Sequence, residues 1–122
     1  MKQCFRCKEQ LSLDKFINNK RGSDGLNGWC RECTKDRMLF TLYGITLKDY
    51  NQMLQDQGSK CKLCLTDKPL GPRNSFVVDH CHETGKVRGL LCNHCNTGIG
   101  KLHDDPELLE KAAAYIKSGG II

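Results

Sequence analysis

Apolar residues recur at helical spacing in three stretches of the chain. Met38, Leu39 and Leu42 mark a helix over residues 31–43, with Gly44 where a terminating glycine sits. Leu47, Tyr50, Met53 and Leu54 mark a second helix. Thr46 and Asp49 stand at capping-box spacing at its start, and Gly58 stops it. Leu108, Leu109, Ala112, Ala113 and Ile116 mark a third, begun by Asp105-Pro106 and ended by Gly119-Gly120. Between the second and third the pattern changes. Residues 65–75, with two prolines, a glycine and an asparagine, read as loop. Phe76 to Asp79 reads as a strand, Glu83 to Lys86 as a turn, and Val87 to Leu91 as a second strand interrupted at Gly89. Asn93 to Lys101 can form a short helix. Apart from a duplicated CxxC pattern, the sequence predicts no internal repeat.

Composition limits the core these elements can build. In 122 residues, 39% are hydrophobic and 7% aromatic, with one Trp and twelve Gly. That is little apolar material for a domain of this size. No apolar run reaches the length of a membrane span, and no signal peptide is expected at the polar start. These features point away from a membrane protein, a long coiled coil and a large enzyme.

Nine cysteines supply what the core lacks. Eight form four CxxC pairs: Cys4/Cys7, Cys30/Cys33, Cys61/Cys64 and Cys92/Cys95. Without a secretory signal, metal is favoured over disulfides. Pairing neighbours in sequence gives two structural Cys4 zinc sites whose knuckles are separated by 22 and 27 residues. A thiol-redox protein is the rival reading, and it expects no tightly bound metal. Each four-thiolate site carries −2, so two sites reduce the formal charge of +5 to +1. Charge placement therefore matters more than net charge. Residues 1–37 hold nine Lys/Arg against five Asp/Glu.

The second pair of knuckles encloses more than a structural zinc site requires. Asp79-His80-Cys81-His82 follows the first strand, and Asn96 follows the last zinc ligand. Phosphodiester hydrolysis needs a base for water and a hard cation for the developing negative charge. A neutral His is a suitable base near pH 7. An Asp carboxylate and an Asn carbonyl are hard oxygen ligands for Mg²⁺. Neighbouring residues of a regular strand point to opposite faces, so Asp79 and His80 share a site only if the strand ends or bulges there.

Residues 57–64 (Gln-Gly-Ser-Lys-Cys-Lys-Leu-Cys), Asp-His-Cys-His at 79–82, and residues 85–96 (Gly-Lys-Val-Arg-Gly-Leu-Leu-Cys-Asn-His-Cys-Asn) are followed by an amphipathic helix. This text resembles the phage recombination endonuclease VII family, a branch of the His-Me finger (HNH, ββα-metal) nucleases, over about 75 residues from Tyr43 to Lys117. The resemblance implies a small zinc-stabilised α+β fold with a ββα-metal core, flanking helices and an added N-terminal Cys4 module. It divides the chain into a zinc module (1–37), linking helices (38–58), a nuclease core (59–103) and a C-terminal helix (104–122). It implies a Mg²⁺- (or Mn²⁺-) dependent DNA endonuclease with His80 as general base, Asp79 and Asn96 as catalytic metal ligands, and His82 assisting at the scissile phosphate. Cys61, Cys64, Cys92 and Cys95 match its structural zinc ligands. It also implies action in a bacterial host cell, for a phage-encoded or bacterial protein. Family members act as intertwined dimers, so a homodimer through helix 46–57 is an expectation. Two positions depart from the family: Cys81 stands where an Asp is common, and Ile99 where a carboxylate follows the Asn.

Other residues have plainer readings. Taken alone, His80 and His82 read as turn histidines, and the context makes them catalytic candidates. His94 is expected to be exposed or near phosphate, His103 a surface residue and Cys81 a free thiol. Lys86, Arg88 and Lys101 are read as DNA phosphate contacts. Arg6, Lys20, Arg21, Arg31, Lys35 and Arg37 give the first module a basic surface suited to holding DNA, or simply a solvated one. Trp29 is read as packing. Rival functions are an HNH restriction or homing-type endonuclease and a non-catalytic zinc module that binds nucleic acid.

Overall fold

The computed structural model describes residues 1–72 and 74–120, and the chain forms two compact units, Met1–Gln52 and Met53–Ile122. Arg73, within the expected loop, lies outside the described residues.

In the first unit, β1 (Lys2–Gln3) and β2 (Gln10–Leu11) pair antiparallel around the first knuckle. Next come β3 (Phe16–Asn18) and β4 (Leu26–Cys30), an antiparallel hairpin whose register shifts between Phe16 and Asn18. Helix α1 (Arg31–Tyr43) leaves directly from Cys30, whose ψ of 167° is extended. Gly44, at φ 73°, ends α1 in the left-handed region that glycine adopts freely. The core is small: Cys4, Phe16 and Cys30 are buried, with Leu11, Leu26, Trp29 and Cys33 packed against them. Trp29 is therefore packing, as expected, and the Arg6 guanidinium lies over its ring at 5.3 Å.

Helix α2 (Leu47–Asp56) begins with the expected capping box. The Thr46 N–H donates to Asp49 Oδ2 at 3.0 Å, and the Asp49 N–H to Thr46 Oγ1 at 3.1 Å. Asp36 on α1 adds a third cap. Its Oδ1 accepts the Leu47 N–H at 2.6 Å, and its Oδ2 takes Arg6 Nη2 at 2.7 Å.

The second unit repeats the plan of the first. A knuckle at Cys61–Cys64 precedes the hairpin of β5 (Val77–His80) and β6 (Val87–Leu91), and α3 (Asn93–Lys101) leaves from Cys92 with ψ 160°. The sequence carries this duplication only in its cysteine spacing. Val78 and Leu90, paired across the hairpin, are buried. Gln57 locks the outer edge of β6: its Nε2 donates to Leu90 O at 2.9 Å, and its Oε1 accepts the Leu90 N–H at 3.0 Å. Helix α3 packs on both strands.

Helix α4 (Pro106–Ser118) starts where expected, with Asp105 Oδ1 accepting the Glu107 N–H at 3.0 Å, and ends at left-handed Gly119. Its apolar stripe is only partly covered. Leu108 and Leu109 are half-buried, whereas Tyr115 and Ile116 are exposed. Among the described residues, no helix is long and apolar enough to cross a membrane.

Candidate functional site

Two Cys4 clusters frame the two units. Cys4, Cys7, Cys30 and Cys33 bring their sulfurs within 4.8 Å of one another, as do Cys61, Cys64, Cys92 and Cys95. A tetrahedral zinc with Zn–S bonds of about 2.3 Å requires sulfurs about 3.8 Å apart. Cys64 Sγ and Cys92 Sγ are 3.8 Å apart, so the donor set fits zinc in number, chemistry and spacing. Backbone amides face the inner sulfurs. The Cys30 N–H points at Cys4 Sγ (3.3 Å), the Leu63 and Cys64 N–H groups at Cys61 Sγ (3.4 and 3.5 Å), and the Cys95 N–H at Cys92 Sγ (3.4 Å). Burial raises the Cys4 and Cys61 thiols, but these donors outweigh it and bring both to about 6. Burial and the neighbouring sulfurs push Cys33 and Cys95 up. Without a cation the four thiols cannot all ionise, and a divalent metal resolves that conflict.

The hairpin supplies the second feature. Val77 pairs with Leu91, Val78 with Leu90 and Asp79 with Gly89, but His80 pairs with Val87. Arg88 is therefore the extra residue of a bulge in β6. A bulge adds twist and re-aims side chains. It falls between Asp79 and His80, the step at which a regular strand would send their side chains to opposite faces. The expected interruption of β6 at Gly89 is instead this bulge one residue earlier: Gly89 stays paired and buried.

Asp79 is the buried member of the group. Arg88 holds both its oxygens, with Nε on Oδ2 at 2.8 Å and Nη2 on Oδ1 at 2.9 Å. The other edge of the same guanidinium holds Asp104, with Nη1 on Oδ2 at 3.0 Å and Nη2 on Oδ1 at 2.9 Å. The Asp79 hydrogen bonds, followed by those of Asp104, hold the Arg88 proton well above its usual range. Arg88 in turn keeps the Asp104 carboxyl below the ordinary carboxylate range, helped by His82 and His80. This ion-pair group opens onto a groove lined by Asp79, Gly89, Leu91, Ile99, Asp104 and Leu109.

Of the remaining sequence-derived candidates, His80 and His82 act electrostatically on Asp104. His80 is half-buried and His82 exposed, and their rings stand edge to face with centroids 5.0 Å apart. Asn96 is half-buried on the first turn of α3, where its N–H donates to Cys92 O at 3.1 Å. That bond is the first backbone hydrogen bond of α3, which starts from the ligand-set residue Cys92. Cys81 is half-buried in the turn, its thiol lowered by the Thr84 hydroxyl and by the Thr84 and Glu83 amides. Lys86, His94, Lys101 and His103 are exposed. Arg88 differs from the lysines: four of its N–H groups point at carboxylates. The first unit has Asn18-Asn19-Lys20 at its hairpin, so its zinc frame lacks an Asp-His pair there. Arg6 is engaged with Asp36, and Arg31 Nε with Asp14 O at 3.1 Å.

Sequence reading missed two residues. Asp104 lies outside every motif, in the connection between helices. Gln57 opens the family-like text at 57–64, but its amide bridge to Leu90 is visible only in three dimensions.

These features define a small α+β protein with a zinc-framed ββα unit, β5–β6–α3. A family model for recombination endonuclease VII matches residues 36–118, and the chain belongs to that family. The Gene 59 protein of Mycobacterium phage D29 is 43% identical over 82 residues, covering 66% of this chain and 48% of that protein. The Gene 59 protein of Mycobacterium phage L5 is 41% identical over 81 residues, with the same coverage. The chain thus spans about half the length of these relatives. Among solved structures, the ββα-Me type II restriction endonuclease Hpy99I aligns with 94% of this chain and 64% of its own, at 30% identity and a TM-score of 0.45.

Proposed function

We propose that this chain is a metal-dependent DNA endonuclease that hydrolyses phosphodiester bonds in branched or duplex DNA within a bacterial host cell. The observation that carries the reading is the bulge between Asp79 and His80, set in a zinc-framed ββα unit of a chain that belongs to the endonuclease VII family.

His80 is the general base. A ring nitrogen accepts a proton from water as the water oxygen bonds to phosphorus and the bond to the 3′ oxygen breaks, the leaving oxygen taking its proton from solvent water. The products are a 5′-phosphate and a 3′-hydroxyl. Asp79 and Asn96 offer a carboxylate and an amide carbonyl, a hard-oxygen pair that suits Mg²⁺ or Mn²⁺. When bound there, the cation supplies electrostatic stabilisation of the charge that develops on the phosphate and the leaving oxygen. His82, beside His80, contacts the phosphate. Lys86 and Lys101, both exposed, hold the flanking backbone, whereas Arg88 is assigned to its two carboxylates. Zinc is structural, because thiolates fill all four of its positions. A homodimer would form through helix 46–57.

The test is cleavage of supercoiled plasmid and of a synthetic four-way junction by zinc-loaded protein, with and without Mg²⁺, wild type beside His80→Ala. The variant is expected to retain zinc and lose roughly 10²–10⁴-fold in rate, the usual contribution of a positioned base. Equal cleavage by both proteins would remove His80 from its role. Binding of both DNAs without cleavage would leave a zinc module that only binds nucleic acid.

A further inference from the structure

We infer that Asp104 is a positioning residue of the candidate site: by holding one edge of the Arg88 guanidinium, it keeps Asp79 able to accept a divalent cation. The inference rests on the proposed reading of Asp79 as a metal ligand.

Charge is the first argument. Asp79 and Arg88 alone form a neutral pair, with a cation already on both carboxylate oxygens. A divalent ion approaching that pair meets no net attraction and an adjacent positive charge. Asp104 changes this balance. Two carboxylates on one guanidinium leave the group at −1, and Arg88 already has an alternative partner in place. Nη2 is shared, donating to Asp79 Oδ1 and to Asp104 Oδ1, each at 2.9 Å. As Asp79 turns from Arg88 to a cation, Asp104 keeps the guanidinium paired.

Backbone geometry is the second argument. Asp104 reaches Arg88 through two consecutive left-handed residues, His103 at φ 62° and Asp104 at φ 55°. Neither is glycine, so each position carries a steric penalty. The Asp104 N–H closes the turn on Ile99 O at 2.8 Å. The turn directs Asp104 back over the hairpin, and its side chain is only 20% exposed. Ile99 itself stands where the family resemblance expects a carboxylate. Asp104 brings a carboxylate to the same groove from a different element.

Mn²⁺ binding tests this without relying on turnover. The zinc-loaded 122-residue chain is titrated with Mn²⁺, and free Mn²⁺ is followed by its electron paramagnetic resonance signal. Zinc content and thermal midpoint are measured alongside. Asn tolerates the left-handed backbone, so Asp104→Asn removes charge with little change in shape. It is expected to weaken Mn²⁺ binding about tenfold, the scale of one lost charge a few ångströms away in a partly solvated groove. Asp104→Glu should recover most of that affinity. The double variant Asp104→Asn/Arg88→Gln should also recover it, because the competing cation is gone. A merely structural Asp104 would lower the thermal midpoint and leave Mn²⁺ affinity unchanged, which overturns the inference. Failure of the double variant to recover would overturn it too. Asp104→Gly, unstrained at this φ, serves as a second charge-free variant if the Asn form loses zinc. Asp79→Asn separates the two readings. Its loss of Mn²⁺ binding beside an unaffected Asp104→Asn removes only this inference, whereas unchanged binding in Asp79→Asn removes the metal role of Asp79 as well.

Discussion

Arg88 grips Asp79 through both carboxylate oxygens, and it can do so because it is the surplus residue of the β6 bulge. The two side chains are 39% and 12% exposed, so Asp79 sits at the back of the group with Arg88 across its front. This pairing fixes the carboxylate plane. Under the role proposed for Asp79, groups that orient a metal ligand typically contribute 10–100-fold to affinity or activity. Arg88→Ala is therefore expected to reduce the Mg²⁺-dependent cleavage rate by about 10–100-fold. The Mg²⁺ concentration for half-maximal rate should not rise, because a competing cation has been removed. A rise in that concentration, or an unchanged rate, would contradict the positioning role.

The parts of this site legible in sequence are those fixed by local chemistry. Ligand spacing identified both zinc frames, and the Asp105-Pro106 and Thr46/Asp49 pairs identified two helix starts. A shared site for Asp79 and His80 required the strand to end or bulge between them, and the register shifts at that step. What stayed hidden depends on distant pairing. Arg88 looked like a phosphate contact because sequence shows its charge but not the two carboxylates that surround it. Asp104, 16 residues away from Arg88, enters the group through a left-handed turn at His103 and Asp104, positions where no glycine signals one. The repeated knuckle–hairpin–helix plan was hidden because only its cysteines recur. Phe16 opposite Cys30 shows how the first hairpin meets its zinc frame, a pairing that spacing alone does not disclose.

Gln57 acts as a short stand-in for a strand along the edge of β6. Its side-chain amide bonds both backbone groups of Leu90, a residue with no exposed surface, and also donates to Lys60 O at 2.9 Å. Replacing the amide with an alkyl group leaves the Leu90 N–H without this acceptor. Gln57→Leu should destabilise the second unit by about 1–3 kcal/mol, the cost of an unsatisfied buried donor. Gln57→Glu should be comparable, because it retains the acceptor but turns an oxygen toward Leu90 O. Thermal unfolding at saturating zinc reads the effect, and a Gln57→Leu protein as stable as wild type would show that water replaces the bridge at no cost.

Gly22 is required for space rather than for conformation. A Cβ built there would lie 2.4 Å from Leu26 O and 3.3 Å from Asn19 O, both backbone atoms that cannot swing aside. The turn is closed by Gly22 N–H to Asn19 O and Gly25 N–H to Gly22 O, each at 3.0 Å. Gly22→Ala is expected to destabilise the first unit by about 1–3 kcal/mol through forced backbone movement. Gly25 provides the contrast: at φ 78° with open space around it, Gly25→Ala meets only backbone strain, about 1–2 kcal/mol. Both variants are followed at Trp29, the single tryptophan, which packs in the first unit. An unshifted Trp29 transition in Gly22→Ala would mean that the turn relaxes freely.

Cys4 and Cys61 make stability depend on pH with the sign of a lowered thiol. Cys4 and Cys61 ionise near 6 in the folded chain, against an ordinary thiol value of 9.0. A group whose folded value is depressed contributes stability that is complete above its unfolded value and lost as pH falls through the folded one. Bound zinc lowers the folded value further, because it competes with protons for the same sulfurs. Zinc should therefore be retained at neutral pH and released only below about pH 6, with loss of folded structure in step. A chromogenic zinc indicator and circular dichroism, recorded together during an acid titration, test the coupling. Chelation at neutral pH should give the same unfolded species. Zinc release that begins above neutrality, or release that leaves the circular dichroism unchanged, would show that the metal is not what holds these small cores together.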